Sequence, residues 1–193
     1  EEFKNFVAGY LCAEISRNNP GTQIWLGTIN SQSFEDYAFR FFEDKKLSKK
    51  IGGIGYQWIG KESVCKTRAS FPRVPIVQTE SECDDGENTF AFAEYIFSLM
   101  QHYLTNGAEA YVYWNMILGS DPHSTWDWAQ NSLITVDENS RTWRKNPEYW
   151  LMKHFSAFLH RGDETVRCTG AWSGNSVATR RADGSRVLVV HNP

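Results

Sequence analysis

Apolar residues recur at helical spacing over positions 3–17, where Phe3, Phe6, Val7, Tyr10, Leu11 and Ile15 share one face. Asn18-Asn19-Pro20-Gly21 then stops the predicted helix. The run QIWLGTIN reads as a buried strand, and Phe34, Tyr37, Ala38, Phe41, Phe42 and Leu47 line a second helix over 34–47. Ser33 and Asp36 are spaced to cap that helix. IGGIGYQWIG at 51–60 is a second strand, 61–73 a polar connector, and VPIVQTE at 74–80 a third strand. Pro75 sits at its start, where a missing N–H does little damage. A helix over 90–105 ends at Asn106-Gly107, and EAYVYWNMIL at 109–118 is a fourth strand. A long loop leads to a helix near 147–159, with Pro147 in its first turn. From Thr165 the pattern changes to short alternating segments with turn pairs Ser173-Gly174 and Asp183-Gly184, which predict antiparallel strands.

Strands alternating with helices imply an α/β chain with a parallel sheet covered on both faces. A complete (β/α)8 TIM barrel needs about 250 residues. This chain has 193 residues and four such strands, so it reads as half of such a barrel, followed by antiparallel hairpin strands. Such a half exposes a sheet edge and unburied helix faces. It is therefore expected to need an upstream N-terminal half completing the barrel, or self-association.

Composition narrows the function. Hydrophobic content of 41% with 22% charged residues describes a globular chain, and a net charge of −3 gives no pull toward nucleic acid. No stretch is apolar enough for a transmembrane helix, and no targeting segment is present in the sequence. Cys12, Cys65, Cys83 and Cys168 lie far apart without zinc-ligand spacing, leaving two disulfides or four buried thiols open. Glu82, Asp84, Asp85 and Glu87 match no calcium-loop spacing, so no metal and no cofactor is expected. The glycines of Ile51-Gly52-Gly53-Ile54-Gly55 lie inside a strand rather than at its exit, which argues against a nucleotide loop.

In a barrel, chemistry sits at the carboxyl ends of the strands. Those ends carry Thr28 and Asn30; Tyr56, Gln57 and Trp58; Thr79, Glu80 and Glu82; and Trp114 with Asn115. No Ser, Cys or His stands there in a nucleophile-plus-base pattern. Glu82 shares the side-chain parity of Glu80 if the strand continues. Carboxylates framed by indoles and amides suit glycoside hydrolysis, in which one carboxylate attacks the anomeric carbon and another protonates the leaving oxygen.

The succession GIGYQW, PIVQTESEC, YVYWNMIL, STWDWAQNSLITVD and PEYWLMKHFSAFL resembles glycoside hydrolase family 30, which includes glucosylceramidases and β-1,6-glucanases. The closing ADGSRVLVVHNP resembles the start of that family's β-sandwich side domain, so the resemblance implies an α/β fold: the C-terminal half of a (β/α)8 TIM barrel over 1–160, then a partial antiparallel β-sandwich over 161–193. The resemblance spans nearly the whole chain. It implies a retaining mechanism with Glu80 as nucleophile and Glu82 as its rival. It implies that Trp114 and Asn115 shape the sugar-binding floor, that Gln57 and Trp58 sit at the sixth strand's end, and that Trp126 and Trp128 form a stacking wall. Asn30 joins them as a candidate substrate contact. Gln57 stands where many members carry His, which removes a titrating group. The family's acid/base Glu, in an Asn-Glu-Pro-like motif, has no counterpart here and is expected upstream. The implied partner is a β-glucoside or β-glucan, and the implied location is secreted, periplasmic or lysosomal. The alternative is a catalytically incomplete carbohydrate-binding or half-barrel module.

Overall fold

A computed structural model describes residues 1–192, which divide into two compact units. One comprises Glu1–Thr79 with Asn106–Tyr111; the other comprises Glu80–Thr105 with the chain from Val112 onward.

In the first unit the N-terminal stripe is helical, with α1 (Glu2–Phe6) and α2 (Cys12–Asn18) joined by a π-helical stretch, Val7–Leu11. After β1 (Ile24–Ile29), Ser33 caps the next helical segment as expected: its hydroxyl donates to Asp36 Oδ2 at 2.7 Å and accepts from the Asp36 N–H at 3.2 Å. That segment is shorter than its apolar pattern. A π-helical turn over Glu35–Phe39 runs into α3 (Arg40–Phe42) and stops. The Asp44 carboxylate takes the N–H groups of Lys46 and Leu47, offering the backbone a turn in place of further helix and dropping Leu47 into the core. Those same bonds hold the half-buried Asp44 carboxyl below its ordinary pKa.

β2 (Ile51–Gln57) ends before Trp58, whose φ of 47° turns the chain into a 3-10 segment, Trp58–Ser63. The expected polar connector contains a helix, α4 (Val64–Ser70). Its buried residues are Val64 and Thr67, too few and too small to stand out as an apolar stripe. Arg68 of α4 donates to the carbonyls of Asn106 and Gly107, at 3.2 and 2.5 Å, and so ties down the entrance to the last strand of the sheet. β3 (Ile76–Glu80) and β4 (Ala108–Tyr111) complete a four-stranded sheet of order β1-β2-β3-β4, with β1–β2 and β3–β4 parallel.

Two glycines let β1 and β2 approach. A Cβ on Gly53 would stand 2.4 Å from the Trp25 ring, and one on Gly27, at φ 120°, would stand 2.5 Å from the Gly55 carbonyl oxygen. These glycines are steric necessities of the sheet, consistent with their place inside a strand. The core of this unit is Leu26, Ile29, Ile54, Tyr56 and Ile76 with Ala38, Phe41 and Val64.

The second unit holds α5 (Phe90–Thr105), a sheet of β5 (Ile117–Gly119), β6 (Ile134–Asp137) and β7 (Thr142–Lys145), and α6 (Pro147–Ser156). β5 pairs parallel with β6, and β6 antiparallel with β7. The single strand expected over 109–118 is thus two strands in different sheets. The chain changes partner between them: the carbonyls of Asn115 and Met116 accept from Leu133 and Ile134 at 3.0 and 3.1 Å. The hairpin β6–β7 lies in what the sequence presented as loop. Its positions beyond Ile134 are mostly polar or charged and only partly buried, so no apolar alternation marks them.

Pro147 opens α6 as expected. Phe97 of α5 meets Phe155 of α6 at 5.6 Å between ring centroids. The expected antiparallel segments are β8 (Glu164–Val166), β9 (Ser176–Arg180) and β10 (Arg186–Val190), ordered β10-β9-β8. All four cysteines are free thiols, with Cys12 and Cys83 buried and Cys65 exposed. Among the described residues, no helix is long and apolar enough to cross a membrane.

Candidate active site

Within the first unit, the ends of β1 and β2 meet Thr79 of β3. The Thr28 hydroxyl donates to Gln57 Oε1 at 2.9 Å and pairs with the Thr79 hydroxyl, whose oxygen lies 3.1 Å from the Tyr56 carbonyl. These bonds cross-link three strand ends and fix the Gln57 amide, leaving its Nε2 as the donor that side chain can turn to a ligand. Asn30 is exposed, and its Oδ1 accepts from the Ile59 N–H at 3.3 Å. Trp58 is half-buried at the turn that ends β2. Thr28, Asn30, Gln57, Trp58 and Thr79 therefore all belong to this strand-end layer.

In the second unit, Glu80 is the last residue of β3 and is half-buried. Glu82 lies beyond the strand, so the shared parity expected from a continuing strand does not extend to it. Its Oε1 accepts from the Tyr95 hydroxyl at 3.2 Å. Between them Ser81 is fully buried, and its Oγ accepts the Trp114 N–H at 3.1 Å. Trp114 and Asn115, joined by a cis peptide, follow β4 rather than ending a long strand. Asn115 Nδ2 donates to Gln130 Oε1 at 3.1 Å and to the Asn131 carbonyl at 3.3 Å.

The two loop tryptophans differ. Trp128 donates its indole N–H to the Asp84 carbonyl at 3.0 Å, whereas Trp126 presents 85% of its surface to solvent. The first is pinned to the segment that follows Glu82; the second is free to stack on a sugar face.

The electrostatics of this unit are acidic. Burial, then the carboxylates Glu80, Asp84 and Glu82, push the Cys83 thiol up to about 12. Burial, with Asp85 and Glu87 nearby, raises Asp84. Burial likewise raises the Tyr113 phenol, reinforced by Glu148, Cys83 and Asp84. A bound cation would relieve this field, but among the described residues no cluster of His, Cys, Asp and Glu is gathered to hold a metal ion.

Sequence reasoning missed a buried polar cluster behind these residues: Ser81, Asn131, Asn146 and Glu148, each no more than 2% exposed. Asn146 Nδ2 bonds Asn88 Oδ1, the Ser132 carbonyl and Thr135 Oγ1 at 2.7–3.0 Å. Asn131 Nδ2 donates to Glu148 Oε1 at 2.7 Å. The one sequence signal was Asn146-Pro147-Glu148 at a helix start, which reads equally well as an ordinary solvated first turn.

Comparison with known proteins supplies relatives. No family model matches the chain. It is 34% identical over 103 residues to an endo-1,6-beta-D-glucanase of Neurospora crassa, covering 46% of this chain and 21% of that protein. It is 24% identical over 171 residues to the lysosomal acid glucosylceramidase of Mus musculus, covering 77% of this chain and 32% of that protein. Among solved structures, SrfJ from Salmonella typhimurium superposes with a TM-score of 0.84 at 20% identity, over 98% of this chain and 44% of that one. The endo-beta1,6-glucanase BT3312 gives 0.76 at 19% identity, over 98% and 46%. A GH30 xylanase C from Talaromyces cellulolyticus gives 0.66 at 16% identity, over 97% and 42%. The chain thus spans less than half the length of each of these proteins.

Proposed function

We propose that this chain, which is similar to proteins of glycoside hydrolase family 30, carries the nucleophile half of a retaining β-glycosidase acting on a β-glucoside or β-glucan. The supporting observation is the position of Glu80: a half-buried carboxylate on the last residue of β3, directly after Thr79, whose hydroxyl joins the bonded layer of Thr28 and Gln57. In this reading residues 1–160 are the second half of a TIM barrel and 161–193 begin a β-sandwich side domain. An upstream half, or a second copy, completes the barrel.

Catalysis proceeds in two balanced steps. An oxygen of the ionised Glu80 carboxylate bonds to the anomeric carbon as the bond to the leaving oxygen breaks. That oxygen takes a proton from an acid/base Glu upstream of this chain, about 5–5.5 Å from Glu80 in a retaining geometry. Water, deprotonated by the same upstream Glu, then displaces Glu80 and restores it. Asn115 and Gln57 hydrogen-bond sugar hydroxyls, Trp114 and Trp58 pack on the ring, and Trp126 and Trp128 wall the outer subsite. A carboxylate at Glu80 disfavours ionisation of an acid placed beside it, which suits that acid to proton donation. Such an enzyme works outside the cytoplasm, secreted, periplasmic or lysosomal.

The test is intact-mass analysis after incubation with a dinitrophenyl 2-deoxy-2-fluoro-β-glucoside, which requires a nucleophile but hardly an acid. A glycosyl adduct on Glu80, absent in Glu80→Gln, is expected. An adduct on Glu82 transfers the role. Saturable sugar binding without any adduct selects a non-catalytic carbohydrate-binding module instead.

A further inference from the structure

Residues 83–88, immediately after the two candidate carboxylates, form a turn of unusual backbone. Asp84, Gly86 and Asn88 all have positive φ, at 49°, 91° and 54°. Gly86 adopts this region freely and Asp84 and Asn88 tolerate it, so hydrogen bonds from the surroundings can hold the turn in this form.

One side chain does most of that holding. Asn131 is fully buried, and each of its polar atoms is engaged. Its N–H donates to the Cys83 carbonyl at 2.6 Å, and its carbonyl accepts from Asn115 Nδ2 at 3.3 Å. Its Oδ1 accepts from the N–H groups of Gly86 and Asn88 at 2.9 and 3.2 Å, and its Nδ2 donates to Glu148 Oε1 at 2.7 Å. The last bond orients the amide. Rotating the Asn131 side chain by half a turn would aim Nδ2 at two N–H donors and leave three donors facing one another. Glu148, on the first turn of α6, selects the working orientation.

We propose that Glu148, acting through Asn131, is a positioning residue of the candidate active site, locking the turn after Glu80 and Glu82 to the Asn115 end of the sugar-binding floor. Its consequence for turnover rests on the reading of Glu80 as nucleophile; its consequence for the turn rests on these hydrogen bonds alone.

The surroundings of Glu148 make this lock sensitive to pH. It is fully buried, and its Oε2 has no hydrogen-bond partner among the described residues. Among the described residues, the titratable groups that interact with it are Asp84 and Tyr113, both of which add negative charge on ionising. Burial raises its carboxyl pKa most, Asp84 raises it further, and the Asn131 bond opposes them. The folded state therefore holds this proton more tightly than the unfolded chain. The stability it contributes is complete below the ordinary value of 4.5 and is lost as pH rises through the raised one.

The experiment compares wild type, Glu148→Gln and Glu148→Ala in the intact protein, by hydrogen exchange at the Gly86 and Asn88 amides and by kcat and KM on an aryl β-glucoside. Gln keeps an oxygen acceptor for Asn131 and cannot ionise. It should retain wild-type protection and kcat within about threefold at acid pH, and should surpass wild type as pH rises. Ala should speed exchange at both amides at least tenfold and lower kcat about 10–100-fold with KM nearly unchanged, the scale expected of a misplaced reacting group. If Ala does not fold, the crossing pH profiles of wild type and Gln carry the test. Undiminished protection in the Ala variant, or a Gln variant as damaged as Ala, overturns the proposal. A wild-type protein without hydrolysis refutes the glycosidase reading, while the exchange data still decide the role of Glu148 in the turn.

Discussion

The hydroxyl pair under β2 gives a stability prediction whose order of effects is set by geometry. Tyr56 and Thr67 are both fully buried, and the Tyr56 oxygen lies 2.6 Å from Thr67 Oγ1. Thr67 has one hydroxyl proton, and it is given to the Ser63 carbonyl at 2.8 Å. Tyr56 must therefore be the donor to Thr67. Tyr56→Phe removes a donor and leaves Thr67 with its own bond intact, so it should cost about 1 kcal/mol. Thr67→Val keeps the shape but strands a buried phenol without its acceptor and should cost more, about 1–3 kcal/mol. The double variant removes both partners and should cost less than the two singles together, by about 0.5–1.5 kcal/mol. Burial pushes the Tyr56 phenol up to about 12 from its ordinary 10.0. The proton is then bound more tightly in the folded state, so the coupling is constant from pH 6 to 9 and fades only as pH rises through the raised value. Urea denaturation followed by tryptophan fluorescence measures all four proteins. A Thr67→Val variant no worse than Tyr56→Phe, or strict additivity, would refute the donor assignment.

Three further outcomes are expected. Gly53→Ala sets a methyl group 2.4 Å from the Trp25 ring and should cost about 1–3 kcal/mol in the same denaturation assay, relieved by a smaller residue at position 25. Trp126→Ala removes an indole that is 85% exposed; it should leave stability within about 0.5 kcal/mol while weakening glucan binding by titration calorimetry about tenfold. Iodoacetamide at pH 8, read by peptide mass, should label Cys65 first. Cys83, buried with its thiol pushed up to about 12, should react only after unfolding.

What was legible in the sequence was whatever local periodicity or a strand exit could reveal. Ile24–Ile29, Ile51–Gln57 and Ile76–Glu80 were visible because each reads as a short apolar run, and the α5 stripe because sixteen residues sustain it. α4 was hidden because it buries only Val64 and Thr67. The break at Trp114–Asn115 was hidden for a different reason: Val112 and Met116 are exposed, so an apolar run continued where the strand did not. Apolarity reports burial only on average, and it fails where side chains are exposed around a cleft.

The same logic separates the two halves of the candidate site. Glu80, Trp114 and Trp126 can be proposed from sequence because a carboxylate or indole at a strand exit or in the following loop is conspicuous by position. Asn131 and Glu148 cannot, because nothing local distinguishes a buried amide from a solvated one; their role exists only once residues 83–88, 115 and 148 meet. A buried carboxyl with no cation beside it is costly to maintain and is tolerated where the bonds it makes hold something else in place. Here that something is the turn that leads away from the candidate nucleophile. Substitutions chosen to alter specificity should therefore target the exposed indoles, whereas changes to Asn131 or Glu148 act on the geometry that every substrate shares.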